Sequence, residues 1–192
     1  METELMETRE KAHLMTASEI ERTLVHLAHE IVDKTEAINE LAFVGVRRRG
    51  VYLAERLGRK IGQMASIEVP VGGIDIQQYR DDLTLRQMDP AVQAKQIPFS
   101  ITGRDVVLVD DVLYTGRTAR AALDALFDHG RPRRIRLCVL IDRGGRELPI
   151  EASFVGKRVV AAPQEIIEVK VREEDDQEKV LLLEKMDRHA AD

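Results

Sequence analysis

Short apolar runs alternate with helix-length segments of mixed polarity along most of this chain. The runs at residues 41–46, 106–109 and 135–141 are continuous rather than alternating, which is typical of strands buried on both faces of a parallel sheet. The segments after the first two runs carry apolar residues at helical spacing. The pattern therefore predicts an α/β protein with a mostly parallel central sheet flanked by helices.

The chain ahead of the first strand predicts an amphipathic helix. Residues 16–19, Thr-Ala-Ser-Glu, form a capping box. The apolar residues that follow share one helical stripe: Ile20, Leu24, Leu27, Ile31 and Val32. Residues 1–15 are polar and mixed, so we expect a frayed leader there.

The remaining apolar segments are shorter. Residues 67–71 predict a strand that Gly72 and Gly73 break, residues 74–79 a half-exposed strand, and residues 97–102 an edge strand or a connector. A further short strand and turn are expected near residues 153–160. Residues 166–171 and 180–183 predict a terminal hairpin around a solvated acidic loop.

The strongest chemical signal follows the strand at residues 106–109. Asp110 and Asp111 end this strand, and a loop containing Thr115, Gly116 and Thr118 leads into a predicted helix. Threonine hydroxyls, a glycine turn and a helix N-terminus suit a phosphate. Carboxylates accept hydrogen bonds from ribose hydroxyls and bind Mg²⁺. An isolated Asp-Asp pair could equally be a polar cap, but the whole run in this order favours a phosphate site.

Two further loops carry candidate chemistry. The strand at residues 41–46 ends in Arg47-Arg48-Arg49, whose guanidinium groups suit a diphosphate, although an exposed basic turn is the alternative. Both strand ends should open on the same edge of the sheet. Arg80 begins a polar stretch that continues to residue 96, which is long for a passive connection. We predict a mobile lid there.

Composition narrows the class of protein. The net charge of −5 argues against nonspecific coating of nucleic acid, and the 4% aromatic content leaves few stacking platforms for single strands. The single cysteine, Cys138, excludes an internal disulfide and falls in a predicted buried strand. With no apolar segment of membrane-spanning length and an acidic N-terminus, the sequence predicts a soluble, cytoplasmic protein.

Residues 106–118 resemble the phosphoribosyl-pyrophosphate signature of the type I phosphoribosyltransferases. The wording of residues 109–118, Val-Asp-Asp-Val-Leu-Tyr-Thr-Gly-Arg-Thr, is similar to one branch, the bifunctional pyrimidine-operon regulators that are also uracil phosphoribosyltransferases. The likeness extends from about residue 20 to about residue 183. It implies the type I phosphoribosyltransferase fold as one domain, residues 16–185, with a core at about 35–160. A small hood built from the N-terminal segment and about residues 150–185 would cover the sheet, and residues 186–192 would form a tail.

The resemblance implies transfer of a phosphoribosyl group from 5-phosphoribosyl 1-diphosphate (PRPP) to uracil, giving UMP and diphosphate. Asp110 and Asp111 would hold the ribose hydroxyls and the cofactor Mg²⁺. Diphosphate would meet Arg48, Arg49 and, when the lid closes, Arg80. The 5′-phosphate would bind at Leu113, Tyr114, Thr115, Gly116, Arg117 and Thr118. The base would bind at Ile141, Asp142, Arg143 and Val159.

The same branch also binds pyrimidine-operon leader mRNA. The positions that the resemblance implies for this contact, with basic residues nearby, are Arg22, His26, His29, Arg146 and Lys157. The chain departs from the family at Val25, His26 and Gly145, where threonine, arginine and histidine are usual. Fewer phosphate contacts predict weak, salt-sensitive RNA binding.

Other interpretations stay open at this point. Donor binding alone does not distinguish uracil transfer from a purine or orotate phosphoribosyltransferase. A nucleotide-sensing RNA-binding regulator with little catalysis is a third possibility, and a solvated surface is the alternative for the two helix histidines. Assembly as a homodimer or a higher homo-oligomer is expected.

Overall fold

The computed structural model describes residues 8–76 and 97–186. The described strands are β1 Thr8–Thr16, β2 Leu41–Val46, β3 Val71–Ile74, β4 Asp105–Leu113, β5 Arg134–Asp142, β6 Phe154–Arg158, β7 Glu165–Lys170 and β8 Lys179–Lys185. The described α-helices are α1 Ala17–Asp33, α2 Arg49–Ala65, α3 Arg117–Asp128 and α4 Arg172–Asp175. A 3₁₀ turn spans Ile38–Glu40. None of the described helices is long and apolar enough to cross a membrane.

The central sheet has five strands in the order β3-β2-β4-β5-β6, and every neighbouring pair is parallel. Every residue of β2 is buried, as the continuous apolar pattern predicted. Because the strands are parallel, their carboxyl ends meet at one edge, and the loops after β2, β4 and β5 open there. The predicted α/β class is confirmed.

Helices cover both faces of this sheet. Helices α1 and α2 bury Leu24 and Leu57 in one apolar cluster with Phe43 of β2. Helix α3 buries Ala122 in a second cluster that contains Leu108 of β4. The predicted capping box is present at the start of α1, since the Thr16 side chain accepts from the Glu19 amide and the Glu19 carboxylate accepts from the Thr16 amide.

The N-terminus of α2 lies unusually close to the sheet. A Cβ atom on Gly45 would lie 2.3 Å from the Cα of Val51, and one on Gly50 would lie 2.5 Å from the carbonyl oxygen of Val109. Only glycine leaves room for the backbones to approach to this extent. The loop between β2 and α2 is therefore pressed against the carboxyl end of β4.

The hood is a separate three-stranded antiparallel sheet in the order β1-β8-β7. It joins the beginning and the end of the described chain, because β1 pairs with β8 from Thr8↔Lys185 to Thr16↔Lys179. Residues 8–15 were expected to fray with the rest of the leader, and that expectation is corrected. Backbone pairing with β8 orders them although most of their side chains are exposed.

The structure also bears on three other local expectations. One is corrected, because strand β3 runs through Gly72 and Gly73 instead of ending at them, and Gly73 has no room for a side chain because a Cβ atom would lie 2.9 Å from a Val51 methyl group. Residues 97–102 form no strand, so the connector is the alternative that the structure supports. The terminal hairpin is confirmed, but its acidic connection is bound to arginines of α2 and the loop before it. The predicted lid, including Arg80, lies outside the described residues.

Candidate active site

Asp110 and Asp111 lie near the carboxyl end of β4, in the middle of the loop-bearing edge of the sheet. The Asp110 carboxylate accepts from the Asp111 amide at 2.9 Å, and the Asp111 carboxylate accepts from the Val112 amide at 2.9 Å. Asp110 is buried. Burial first, and then the adjacent negative charge of Asp111, raise the pKa of Asp110 well above its ordinary value. A cation or a ring that becomes positive would stabilise the ionised pair.

The loop after β4 forms a phosphate-sized turn ahead of α3. Gly116 adopts a φ of 92°, which favours glycine, and α3 begins at the next residue without an acidic side chain in its first turn. The Thr115 hydroxyl accepts from the Arg117 amide at 3.3 Å. The Thr115 carbonyl accepts from the amides of Glu147 at 2.9 Å and Leu148 at 3.1 Å. The backbone amides of residues 147 and 148 thus hold the loop in place, and the N-terminus of α3 can bind an anion.

The loop after β2 contains the predicted diphosphate arginines, and the hood meets it. Arg48 lies next to Glu174, with 3.0 Å between Nη1 and Oε1. Arg49 makes a two-pronged ion pair with Asp175 at 2.7 and 2.9 Å. The peptide bond between Arg47 and Arg48 is cis. These arginines line a cavity of about 940 Å³ together with Tyr52, Gly73, Asp75 and Glu174.

The end of β5 and the segment after it contain most of the residues predicted to bind the base. The Arg143 guanidinium stacks on the Tyr114 ring, with 3.7 Å between its Cζ and the ring centre. Gly145 has a φ of 74°, and a Cβ atom there would lie 2.7 Å from Cε2 of Tyr114. The family's usual histidine could not take this position without moving Tyr114. Ile141 is buried, and the Val159 amide donates to the Asp142 carbonyl at 2.8 Å.

Arg146 braces this same segment. Its guanidinium donates to the Asp142 carboxylate at 2.7 Å, to the Ile150 carbonyl at 2.8 Å and to the Tyr114 carbonyl at 2.9 Å. Burial, the largest influence, raises the pKa of Asp142, but the hydrogen bonds from Arg146 and the Gly144 amide hold that pKa below its usual range. Arg146 therefore ties the segment after β5 to the loop after β4, and its predicted contact with RNA stays a prediction.

The other predicted RNA residues lie on α1 and β6 rather than on the loops that follow β2, β4 and β5. Arg22, His26 and Lys157 line a groove of about 290 Å³ between α1 and β6. His29 lies on another groove with Val25 and residues of α2. Arg136 donates to the Lys34 carbonyl at 2.8 Å and the Thr35 hydroxyl at 2.6 Å, and so anchors the end of α1.

Cys138 is buried in β5, as expected for a structural thiol, and burial raises its pKa well above the usual range.

Three residues at the site escaped the sequence analysis: Tyr52, Glu174 and Asp175. The only signal for the acidic pair was an unusually acidic connection in the hairpin. Nothing in the sequence indicated which basic groups it would meet.

Comparison with known proteins identifies the class. Residues 13–177 match the family model of the phosphoribosyl transferase domain. The fold is also that of solved structures of a hypoxanthine-guanine phosphoribosyltransferase from Bacillus anthracis, with a TM-score of 0.66 at 22% identity over 92% of this chain and 99% of that one. The hypoxanthine phosphoribosyltransferase of Trypanosoma cruzi gives a TM-score of 0.68 at 20% identity, over 92% of this chain and 98% of that one. At such identities the likeness concerns the fold alone.

Curated relatives define the branch. The bifunctional protein PyrR of Thermus aquaticus is 56% identical over 177 residues, which cover 92% of this chain and 98% of the relative. The bifunctional protein PyrR of Deinococcus radiodurans is 48% identical over 180 residues, covering 94% of this chain and 98% of the relative. The chain therefore belongs to the PyrR family of phosphoribosyltransferases.

Proposed function

We propose that this protein transfers the phosphoribosyl group of PRPP to uracil, giving UMP and diphosphate, and that it also binds pyrimidine-operon leader mRNA. The observation that carries the enzymatic part is the meeting of an acid pair and two loops at one sheet edge. An acid pair, a glycine-turned phosphate loop and an arginine loop lie at the carboxyl ends of β4 and β2. These are the groups that a phosphorylated ribose carrying a diphosphate requires.

The reaction needs positioning and charge more than a nucleophile. The bond from the anomeric carbon to diphosphate breaks as the bond to the uracil nitrogen forms, through a ring with oxocarbenium character, and the proton of that nitrogen is lost to the departing diphosphate or to water. The carboxylates of Asp110 and Asp111 accept from the ribose hydroxyls and favour the positive ring. The loop at residues 113–118 holds the 5′-phosphate, while Arg48 neutralises the leaving diphosphate. Arg80 would complete this neutralisation and exclude water when the predicted lid closes.

Magnesium fits the donor set. Among the residues that the structure describes, no cluster of three or more His, Cys, Asp or Glu side chains could hold a metal alone. Mg²⁺, however, is commonly bound by one or two carboxylates together with substrate phosphates and water. Asp110 and Asp111 would supply those oxygens, and the burial of Asp110 leaves its charge in need of a counter-ion. The bound ion would neutralise charge on the donor's oxygens.

A substrate comparison tests the enzymatic proposal. We expect turnover with PRPP, Mg²⁺ and uracil to exceed turnover with hypoxanthine, guanine or orotate by at least about a hundredfold. The base would meet the segment after β5, where Arg143 stacks on Tyr114 and Asp142 pairs with Arg146. Faster turnover with a purine or with orotate would show that this base, rather than uracil, is the substrate. Absence of turnover with every base would refute the proposed reaction.

The RNA function rests on the groove of Arg22, His26 and Lys157, whose side chains are exposed beside each other on α1 and β6. The relatives are named bifunctional proteins, which supports a second role. Phosphate contacts dominate RNA affinity and weaken with salt. Because Val25, His26 and Gly145 stand where the family's usual residues are threonine, arginine and histidine, we expect weak, salt-sensitive binding of the leader transcript.

Gel-shift measurements test this second role. Lys157→Ala and Arg22→Ala should each weaken binding of the leader transcript about fivefold at physiological salt, because each removes one phosphate contact. Arg120→Ala removes the same charge from α3 on the other face of the sheet and should leave affinity unchanged. Equal losses from all three variants would indicate a general charge effect, and unchanged binding by the first two would move the RNA surface elsewhere. Uridine nucleotides should be included in parallel.

A further inference from the structure

The contact between the hood and the diphosphate loop involves two neighbouring carboxylates with different geometries. Glu174 reaches Arg48 with one oxygen at 3.0 Å and the Tyr52 hydroxyl with the other at 3.4 Å. Asp175 binds Arg49 with both oxygens and also accepts from the Val171 amide at 2.9 Å. Two consecutive residues of the hood therefore engage two consecutive arginines of the loop.

The two pairs differ in how firmly they are held. The Arg48 side chain is 77% exposed, whereas that of Arg49 is 32% exposed and that of Asp175 only 15%. A single-contact ion pair whose arginine lies mostly in water is held weakly, while a two-pronged pair between two partly buried side chains is stronger and fixed in direction. Arg49 is consequently anchored to the hood, and Arg48 holds Glu174 loosely.

The loose pair lies where the leaving group would bind. Arg48, Tyr52 and Glu174 all line the cavity of about 940 Å³ beside the diphosphate loop. A diphosphate carries more charge than a carboxylate and offers several acceptor oxygens to one guanidinium. Diphosphate can therefore displace Glu174 from Arg48, but only after the contact between Arg48 and Glu174 has broken.

We propose that Glu174 occupies the diphosphate position at Arg48 in the free protein and sets the affinity for the diphosphate group by competing with it. Asp175 acts differently, as a positioning residue that holds Arg49 in the loop. Glu174 weakens capture of the donor and speeds release of the diphosphate product. The apparent affinity for diphosphate falls as the fraction of protein molecules in which Glu174 is bound to Arg48 rises. This inference rests on the proposed phosphoribosyl transfer.

Calorimetric titration with inorganic diphosphate and Mg²⁺ tests the competition directly. Glu174→Gln keeps the shape of the side chain and removes its charge, so the variant should bind diphosphate about threefold tighter than wild type. Glu174→Asp keeps the charge but shortens the reach to Arg48, and its affinity should lie between the two. In turnover assays the KM for PRPP of Glu174→Gln should fall by the same factor, with kcat unchanged or lower.

Glu173→Gln is the matched control. Glu173 is the preceding residue of the same short helix, and it pairs with Arg56 at 2.6 and 2.8 Å rather than with the loop. The charge change is identical, so a general field effect would tighten diphosphate binding in both variants equally and would overturn the proposal. Wild-type affinity in Glu174→Gln would overturn it too, while the proposed reaction would stand. Failure of the wild-type protein to bind diphosphate at all would refute the proposed reaction itself.

Discussion

Replacing Asp110 and Asp111 together by asparagine should lower kcat/KM for PRPP by about a thousandfold or more, since the amides keep the shape but remove the charge that favours a positive ribose ring. The fold should survive. Asp110 is buried with a raised pKa, so neutralising it relieves a buried charge, and the asparagine oxygen can still accept from the Asp111 backbone amide. Steady-state kinetics with Mg²⁺ and thermal unfolding together measure both expectations.

A matched variant separates local charge from total charge. Asp33→Asn combined with Asp124→Asn removes the same two charges from exposed positions on α1 and α3, and should leave kcat/KM and the melting temperature near wild type. If the Asp110 and Asp111 double variant turned uracil over at a near wild-type rate, the ribose and metal assignment would be wrong.

Gly50→Ala should separate the diphosphate loop from the acid pair. A methyl group there would lie 2.5 Å from the Val109 carbonyl oxygen and 3.3 Å from the Asp110 Cα, so α2 must shift away from β4. Alanine gains about 1 kcal/mol of helix propensity over glycine, but overlap with backbone atoms costs about 1–3 kcal/mol. We expect a lower melting temperature and a loss of about a hundredfold in kcat/KM, since small displacements of binding groups have that effect.

Gly58→Ala in the same helix provides the comparison. Its added methyl group would meet a Val71 side-chain methyl at 2.7 Å, which can move more readily than a carbonyl of the central strand. Activity should stay within about twofold of wild type. Equal activity losses in Gly50→Ala and Gly58→Ala would show that helix packing in general, rather than the approach to Asp110, limits the reaction.

The sequence predicted those parts of the fold that depend on local pattern. Continuous apolar runs predicted the buried strands β2, β4 and β5, and the capping box at residues 16–19 predicted the start of a helix. Both signals are local, because burial of a strand and capping of a helix depend on residues that are neighbours in the chain. The phosphate loop was predictable for the same reason. Its glycine, hydroxyls and following helix are adjacent in sequence.

What the sequence could not predict depends on pairing between distant segments. Strand β1 has mostly exposed side chains and so carries little apolar signal, and contacts with distant strands order it, namely the backbone bonds to β8 and the ion pair of Lys11 with Glu165. The acidic connection of the hairpin resembled a solvated loop because its partner Arg56 lies 117 residues from Glu173 along the chain. Gly72 and Gly73 looked like strand breakers because close contact with α2 is invisible until the strand is placed.

The pairing of β1 with β8 also determines the order in which the molecule can assemble. The parallel sheet uses residues 41–158 and can form while the chain is still being synthesised, but β1 must wait for the last described strand before it has a partner. The hood, and with it the carboxylates that reach the arginine loop, is therefore completed only after β8 has been synthesised. A nascent chain can present the sheet edge before its hood closes over it.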